Sequence, residues 1–261
     1  MSRFFKWRTS QRRRESGIEL SEQDGVRSLH LGSSMVQSAM RLAAPNALEL
    51  VYTQCMMGFL LFHPQPENIL MIGLGGGSLA KFVHQRMPQT KTTVIEIDPQ
   101  VAAAARNHFL LPADDERLQV MIAEGSEYVA GHPASADVLM IDGFDDGCQV
   151  ASLCSQDFYN RAREALNRNG VLVVNLLSSD KGLNDYLLRI ENSFDGHVAT
   201  MLSATRGNLI VFALKHGSAK LAWVELKERA KKLETEFALP FPEFVAALRK
   251  QSPRNDKYLE I

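Results

Sequence analysis

The run Asn68-Ile69-Leu70-Met71-Ile72-Gly73, followed at once by Leu74-Gly75-Gly76-Gly77, constrains this chain more than any other feature. A short apolar run bounded by turn signals is the pattern of a strand buried on both faces, hence of a parallel sheet. The glycines after it let backbone N–H groups approach a ligand at the positive end of the next helix, expected over Leu79–Met87. Three glycines in a row also make a tight turn with no ligand, so the context must decide.

That context is a repeating strand–helix rhythm. Strands are expected over Thr92–Ile97, Leu118–Ile122, Asp137–Ile141 and Val171–Leu177, with helices over Gln100–Phe109, Ser126–Gly131, Gln156–Asn167 and Lys181–Asn192 between and after them. Such alternation predicts a doubly wound α/β sheet. Two further apolar runs, His197–Leu202 and Leu209–Leu214, are separated only by the turn Arg206-Gly207-Asn208. A pair without an intervening helix is antiparallel, which fits the closing hairpin of a Rossmann-like class I methyltransferase sheet better than a plain dinucleotide fold. Upstream, Ile18–Leu31 alternates around Asp24-Gly25 and predicts a small N-terminal β-hairpin, followed by a helix over Ala47–Leu61 that ends before Pro64. The organisation expected is a basic flexible arm over 1–16, the hairpin region over 17–46, a catalytic domain over 47–216, and a C-terminal surface helix (Ala219–Glu236) with a frayed tail over 217–261.

Charge and cysteine content narrow the function classes. Lys and Arg, 29 together, nearly cancel 30 Asp and Glu, so no global field draws in nucleic acid or an anionic membrane. The basic arm reads as a solvated tail. Cys55, Cys148 and Cys154 include no Cys-x-x-Cys pair, and no two histidines stand at ligand spacing, so neither a metal site nor a disulfide framework is expected. That cysteine pattern makes a reducing cytosol the simplest compartment, and no apolar run approaches the roughly 20 residues of a membrane-spanning helix.

Acids cluster where the parallel strands end. Glu96 closes Val94-Ile95-Glu96-Ile97-Asp98, placed to accept the ribose hydroxyls of an adenosine on the glycine turn. Asp98 before Pro99 reads as a helix N-cap. Glu124-Gly125 follows the third strand, and Asp142, Asp145 and Asp146 follow the fourth. In a doubly wound sheet these ends meet in one crevice, where carboxylates suit a cationic sulfonium and a cationic amine better than a diphosphate. A strand-end acid also caps turns, a reading open for Asp142 and more so for Asp145 and Asp146 beside Gly147. Met35, Met40, Met56 and Met57 read as core, with a place along the cleft as the alternative.

From Tyr52 to Leu176 the chain resembles the catalytic domain of polyamine aminopropyltransferases, the spermidine synthases. The resemblance rests on a Tyr in the preceding helix, the Ile-Gly-x-Gly-Gly loop, Val-Ile-Glu-Ile-Asp, the acid-Gly pair, and Asp-Val-Leu-Met-Ile-Asp with an acid nearby. It implies transfer of an aminopropyl group from decarboxylated S-adenosylmethionine to a small amine, in a homodimer. Under it Glu96 holds ribose, Glu124-Gly125 holds adenine, Asp142 is the base and Asp145 helps hold the amine. Gly73, Gly75, Gly76 and Gly77, with Tyr52 and Gln37, stand on the cofactor side. Two departures from the family pattern matter. The loop Asp of Gly-Gly-Gly-Asp-Gly, which grips the donor's amine, is Gly76 here, and Tyr-His-Glu is Tyr52-Thr53-Gln54. Loss of that loop carboxylate removes a charge that would repel intact S-adenosylmethionine, so a methyltransferase on the same fold, or a non-catalytic adenosine binder, are the alternatives.

Overall fold

The computed structural model describes residues 3–5, 17–32, 35–145, 148–205, 207–216, 220–252 and 255–261; the side chains of residues 3–5, 144–145 and 148–149 lie outside that description. The expected arm falls mostly on residues outside it, with Arg3–Phe5 (β1) pairing antiparallel with β2.

β2 (Ile18–Gln23) and β3 (Val26–Leu31) form the expected hairpin. Its two-residue turn puts Asp24 at φ 51 and Gly25 at φ 72, both left-handed, which matches the twist of the flanking strands. A fourth strand, β4 (Ser38–Arg41), completes this N-terminal sheet. Helix α1 (Val51–Met56) starts later than the periodicity predicts and tightens into a 3₁₀ segment over Met57–Leu61. The residues before it are held in turns, Ala47 N–H on the Ala44 carbonyl and the Gln54 amide on that of Leu48, so Ala47–Leu50 do not wind into the helix.

The main domain follows as β5 (Asn68–Ile72), α2 (Ser78–Arg86), β6 (Lys91–Glu96), α3 (Pro99–His108), β7 (Leu118–Ile122), α4 (Gly125–Gly131), β8 (Ala136–Ile141), the short β9 (Phe144–Asp145) and β10 (Cys148–Gln149), α5 (Gln156–Ala165), β11 (Leu166–Leu177), α6 (Leu183–Ser193), β12 (Val198–Leu202) and β13 (Asn208–Leu214). Seven of these strands form one sheet in the order β12-β13-β11-β8-β5-β6-β7. β11, β8, β5, β6 and β7 run parallel, while β13 lies antiparallel between β11 and β12. The α/β fold and its antiparallel last strand are as the sequence predicts.

Alternation along the strands divides the core. Ile69, Met71, Val138, Met140, Val171 and Val173 point to one side and pack with α1, α2 and the C-terminal helices. Leu70, Ile72, Leu139, Ile141, Leu172 and Val174 point to the other and pack with α4, α5 and α6. With both faces covered, a ligand of such a sheet binds at the carboxyl ends of the strands.

After β13 come β14 (Leu221–Ala222), α7 (Trp223–Phe237), α8 (Phe241–Gln251) and β15 (Tyr258–Leu259). The expected surface helix is α7, which begins at Trp223, buries one face (Trp223, Leu226, Ala230, Leu233 and Phe237) and leaves the rest mostly exposed. The structure corrects one expectation: the tail read as frayed pairs β15 with β14 and buries Leu259 and Ile261. Burial of Leu259 and Ile261 against the C-terminal helices opposes the entropy of ordering this strand. Among the described residues no helix is long and apolar enough to cross a membrane, and no three His, Cys, Asp or Glu side chains are grouped to hold a metal.

Candidate active site

The carboxyl ends of β5, β6, β7 and β8 line a cavity of about 140 Å³, together with Gln37 and Ser38 at the start of β4 and Tyr52 and Thr53 of α1. Its lining includes Gln37, Tyr52, Gly73, Gly75, Glu96, Glu124, Gly125 and Asp142. Sequence spacing therefore led to one place, because crossovers in a doubly wound sheet return successive strand ends to the same rim.

The glycine turn is built by close approach. Gly73 has φ 95, and a Cβ there would lie 2.4 Å from the Asp142 carbonyl oxygen, so β5 and β8 can meet only through a residue without a side chain. Gly77 is the left-handed N-cap of α2. Neither Gly76 nor Gly77 lines the cavity. A Cβ on Gly76 would stand 2.8 Å from Ser38 Oγ and 2.9 Å from the Phe109 ring, and one on Gly77 would stand 2.8 Å from Leu111 Cδ1.

Glu96 fixes the loop from below. Its Oε2 accepts the Leu74 N–H at 2.9 Å and its Oε1 the Asp98 N–H at 3.0 Å. Each carboxylate oxygen keeps a second lone pair for a ligand. The residue is only 8% exposed, and burial lifts its pKa, with the backbone hydrogen bonds opposing. Asp98 caps α3 by accepting the Gln100 N–H, as expected, with Pro99 in the first turn.

Glu124 caps α4. It accepts Ser126 Oγ at 2.6 Å, the Glu127 N–H at 2.8 Å and Ser152 Oγ at 3.0 Å. Burial pushes its pKa up, but these hydrogen bonds more than offset that and hold it below the usual range, so it is anionic at neutral pH. Gly125 follows because a Cβ there would meet Ile72 Cγ2 at 2.4 Å. Ile97, an apolar side chain 69% exposed, also lines the cavity, as do Val150 and Leu153.

Asp142 lies just past β8. Asn175 Nδ2 donates to its Oδ1 at 2.8 Å, and the Tyr52 hydroxyl donates to its Oδ2 at 3.1 Å. Burial raises its pKa above the ordinary aspartate value, and these two donors pull it partly back. Tyr52 is pushed well above its own ordinary value by burial and then by the Asp142 charge, so it stays a donor at neutral pH. Asp145 sits in β9 close by in sequence; its side chain, like Asp146, lies outside the described residues.

Sequence reading missed two residues. Asn175, 1% exposed, interrupts the apolar run Val173-Val174-Asn175-Leu176 of β11, and a polar residue in a buried strand was the available signal. Lys81, on α2, is equally buried; its Nζ donates to the carbonyls of Pro45 at 2.8 Å and Phe109 at 2.6 Å and contacts Met40 Sδ at 3.2 Å.

A buried carboxylate held by two donors beside an anionic rim can bind a cation and then remove its proton. Comparisons with known proteins give the family and the fold. Residues 49–189 match the model of the spermine/spermidine synthase domain. A polyamine aminopropyltransferase of Chromobacterium violaceum is 39% identical over 244 residues, covering 94% of each chain. Among solved structures, a spermidine synthase in complex with the transition state analogue AdoDATO superposes with a TM-score of 0.70 at 23% identity, over 90% of this chain and 84% of that one. Human methyltransferase-like protein 13 in complex with SAH superposes with a TM-score of 0.66 at 29% identity, over 73% of this chain and 94% of that one. The extent of the domain match and the identity over nearly the full length place this chain in the spermine/spermidine synthase family.

Proposed function

We propose that the protein is a transferase that moves an aminopropyl group from decarboxylated S-adenosylmethionine to a small amine, a step of polyamine synthesis. The observation that carries this reading is Asp142, fixed between Asn175 and Tyr52 on the same cavity as the glycine turn and Glu96.

The residues present fit an adenosyl donor. Glu96 has lone pairs left for ribose hydroxyls, Glu124 and Gly125 stand where the base would lie, and Ile97 offers that base an apolar face. Gly75 and Ser78, on either side of the turn into α2, line the cavity near the positive end of that helix.

A primary amine at neutral pH carries a proton and no free lone pair, so the acceptor binds as a cation at Asp142 and loses a proton to it. The freed nitrogen attacks the carbon beside the sulfonium. As the C–N bond forms, the C–S bond breaks, its electron pair returns to sulfur, and neutral methylthioadenosine leaves. The protein's contribution is chiefly alignment and charge, since sulfonium and ammonium both face carboxylates. Asp145 is assigned to the amine side on sequence grounds alone.

Gly76 favours a second reading. It stands where the family loop has an acid, and its packing against Ser38 and Phe109 leaves a side chain no place, so no carboxylate there repels the carboxylate of intact S-adenosylmethionine. Calorimetry with the two donors separates the readings. Tighter binding of the decarboxylated donor is expected; a clear preference for the carboxylated form would replace aminopropyl transfer by methyl transfer.

A further inference from the structure

Behind Asp142 a line of amides runs away from the cavity into the sheet. Asn175 Nδ2 donates to Asp142 Oδ1 at 2.8 Å, and Asn175 Oδ1 accepts from Asn208 Nδ2 at 3.0 Å. Asn175 belongs to β11, while Asn208 opens β13, its antiparallel neighbour. Asn208 does not line the cavity. Its backbone is pinned in turn by Ser203, whose N–H donates to the Asn208 carbonyl at 2.9 Å and whose Oγ accepts the Asn208 N–H at 3.4 Å.

We infer that Asn208 is a positioning residue: by donating to Asn175 Oδ1 it fixes which end of that amide faces Asp142, so that Oδ1 of Asp142 stays hydrogen-bonded and Oδ2 is the oxygen that takes the substrate's proton. An amide has a donor end and an acceptor end. With Asn208 presenting its NH₂, Asn175 must turn its oxygen to β13 and its nitrogen to Asp142. Turned the other way, Asn175 Oδ1 would face Asp142 Oδ1, two acceptors in a buried place, tolerable only if the aspartate kept a proton and so could not act as base. Tyr52, a lining residue of the cavity whose hydroxyl also lies 3.3 Å from the Gln37 carbonyl, donates to the opposite oxygen, Oδ2. The two donors therefore divide the carboxylate, one oxygen tied to the sheet through Asn175 and one bonded to Tyr52 of the cavity lining.

The inference rests on the proposed transfer reaction, and its test must separate the two. Titratable groups sharing the cavity with Asp142 are Tyr52 of α1, Glu96 at the end of β6 and Glu124 after β7; the Asp145 side chain of β9 lies outside the described residues. All three remain in Asn208→Leu, which removes only the donor to Asn175. The acid limb of kcat/KM should then move up by about one pH unit, with the KM for the donor within about twofold of wild type. Loss of activity by the same factor at every pH, with the limb unmoved, would show a merely structural role and overturn the inference; so would an unchanged enzyme. If wild type forms no methylthioadenosine, the transfer reading fails first. The relay is then judged by carbon-13 NMR titration of the Asp142 carboxyl, which should shift upward in Asn208→Leu and would refute the inference by staying put. Should Asn208→Leu not fold, Asn208→Ser, whose short hydroxyl cannot span to Asn175, is read by the same two measurements and the same criteria.

Discussion

The Tyr52 hydroxyl lies 3.1 Å from Asp142 Oδ2 and 3.3 Å from the Gln37 carbonyl, and it has one proton to give. Spent on Asp142, that proton stabilises the ionised carboxylate against the burial that raises its pKa. Tyr52→Phe removes this opposition, so the Asp142 pKa rises further. Activity should fall roughly tenfold at pH 7, more at lower pH and less at higher pH, for a hydrogen bond to a charged group is worth on the order of 1.5–3 kcal/mol. A pH profile of kcat/KM for wild type and variant checks both the size and the direction.

Gly73 and Gly125 should resist even the smallest added side chain. Gly73→Ala adds left-handed strain at φ 95 to a 2.4 Å approach to backbone, and Gly125→Ala drives a methyl into Ile72 of the central strand. Each should cost at least about 2 kcal/mol, Gly73→Ala the more because backbone yields less than a side chain. Urea unfolding of the two variants measures this.

Restoring the family's loop acid should not restore its function. In Gly76→Asp the new Cβ meets Ser38 Oγ and the Phe109 ring, which is fully buried, so the expected result is a lower melting temperature and weaker binding of the decarboxylated donor. Thermal melts and calorimetry on the one variant are sufficient.

Lys81 joins four segments, α2, β4 at Met40, the loop at Pro45 and the end of α3, by donating only to neutral acceptors. Burial lowers its pKa from the ordinary 10.5 to about 8. Between these values the unfolded chain binds more protons than the folded one, so this group makes stability rise with pH through that window. Lys81→Met abolishes the contribution. Wild type should gain stability relative to the variant from pH 8 to about 10 in paired chemical denaturations, and a constant difference would mean the ammonium is not desolvated.

Legibility in the sequence followed how local the signal was. The strands were readable because Ile69-Leu70-Met71-Ile72 and Val138-Leu139-Met140-Ile141 are short apolar runs ending in Gly or Asp, and Glu96, Glu124 and Asp142 were readable because they stand at those ends. α8 carried a plain helical pattern, Phe241, Phe244, Val245 and Leu248, yet the reading stopped at the proline-bounded end of α7. Asn175 was visible only as an oddity inside β11, and its meaning depends on Asp142 and Asn208, which reach it through the sheet. Packing of Gly76 depends on Phe109 and Ser38, brought together by α3 and the N-terminal sheet, and no spacing rule carries that. Nor does local pattern show that Glu96 and Glu124 already serve the backbone before any ligand arrives.

The account stands on Asp142 as the group that takes the proton of the attacking amine. Methylthioadenosine formation should be followed with decarboxylated S-adenosylmethionine and a set of small amines, for wild type and for Asp142→Asn, a change that keeps the hydrogen-bonding shape but not the basicity. The account predicts release by wild type with at least one amine and a loss of at least about 100-fold in kcat for Asp142→Asn, with donor affinity retained. Equal turnover by the two proteins would contradict it.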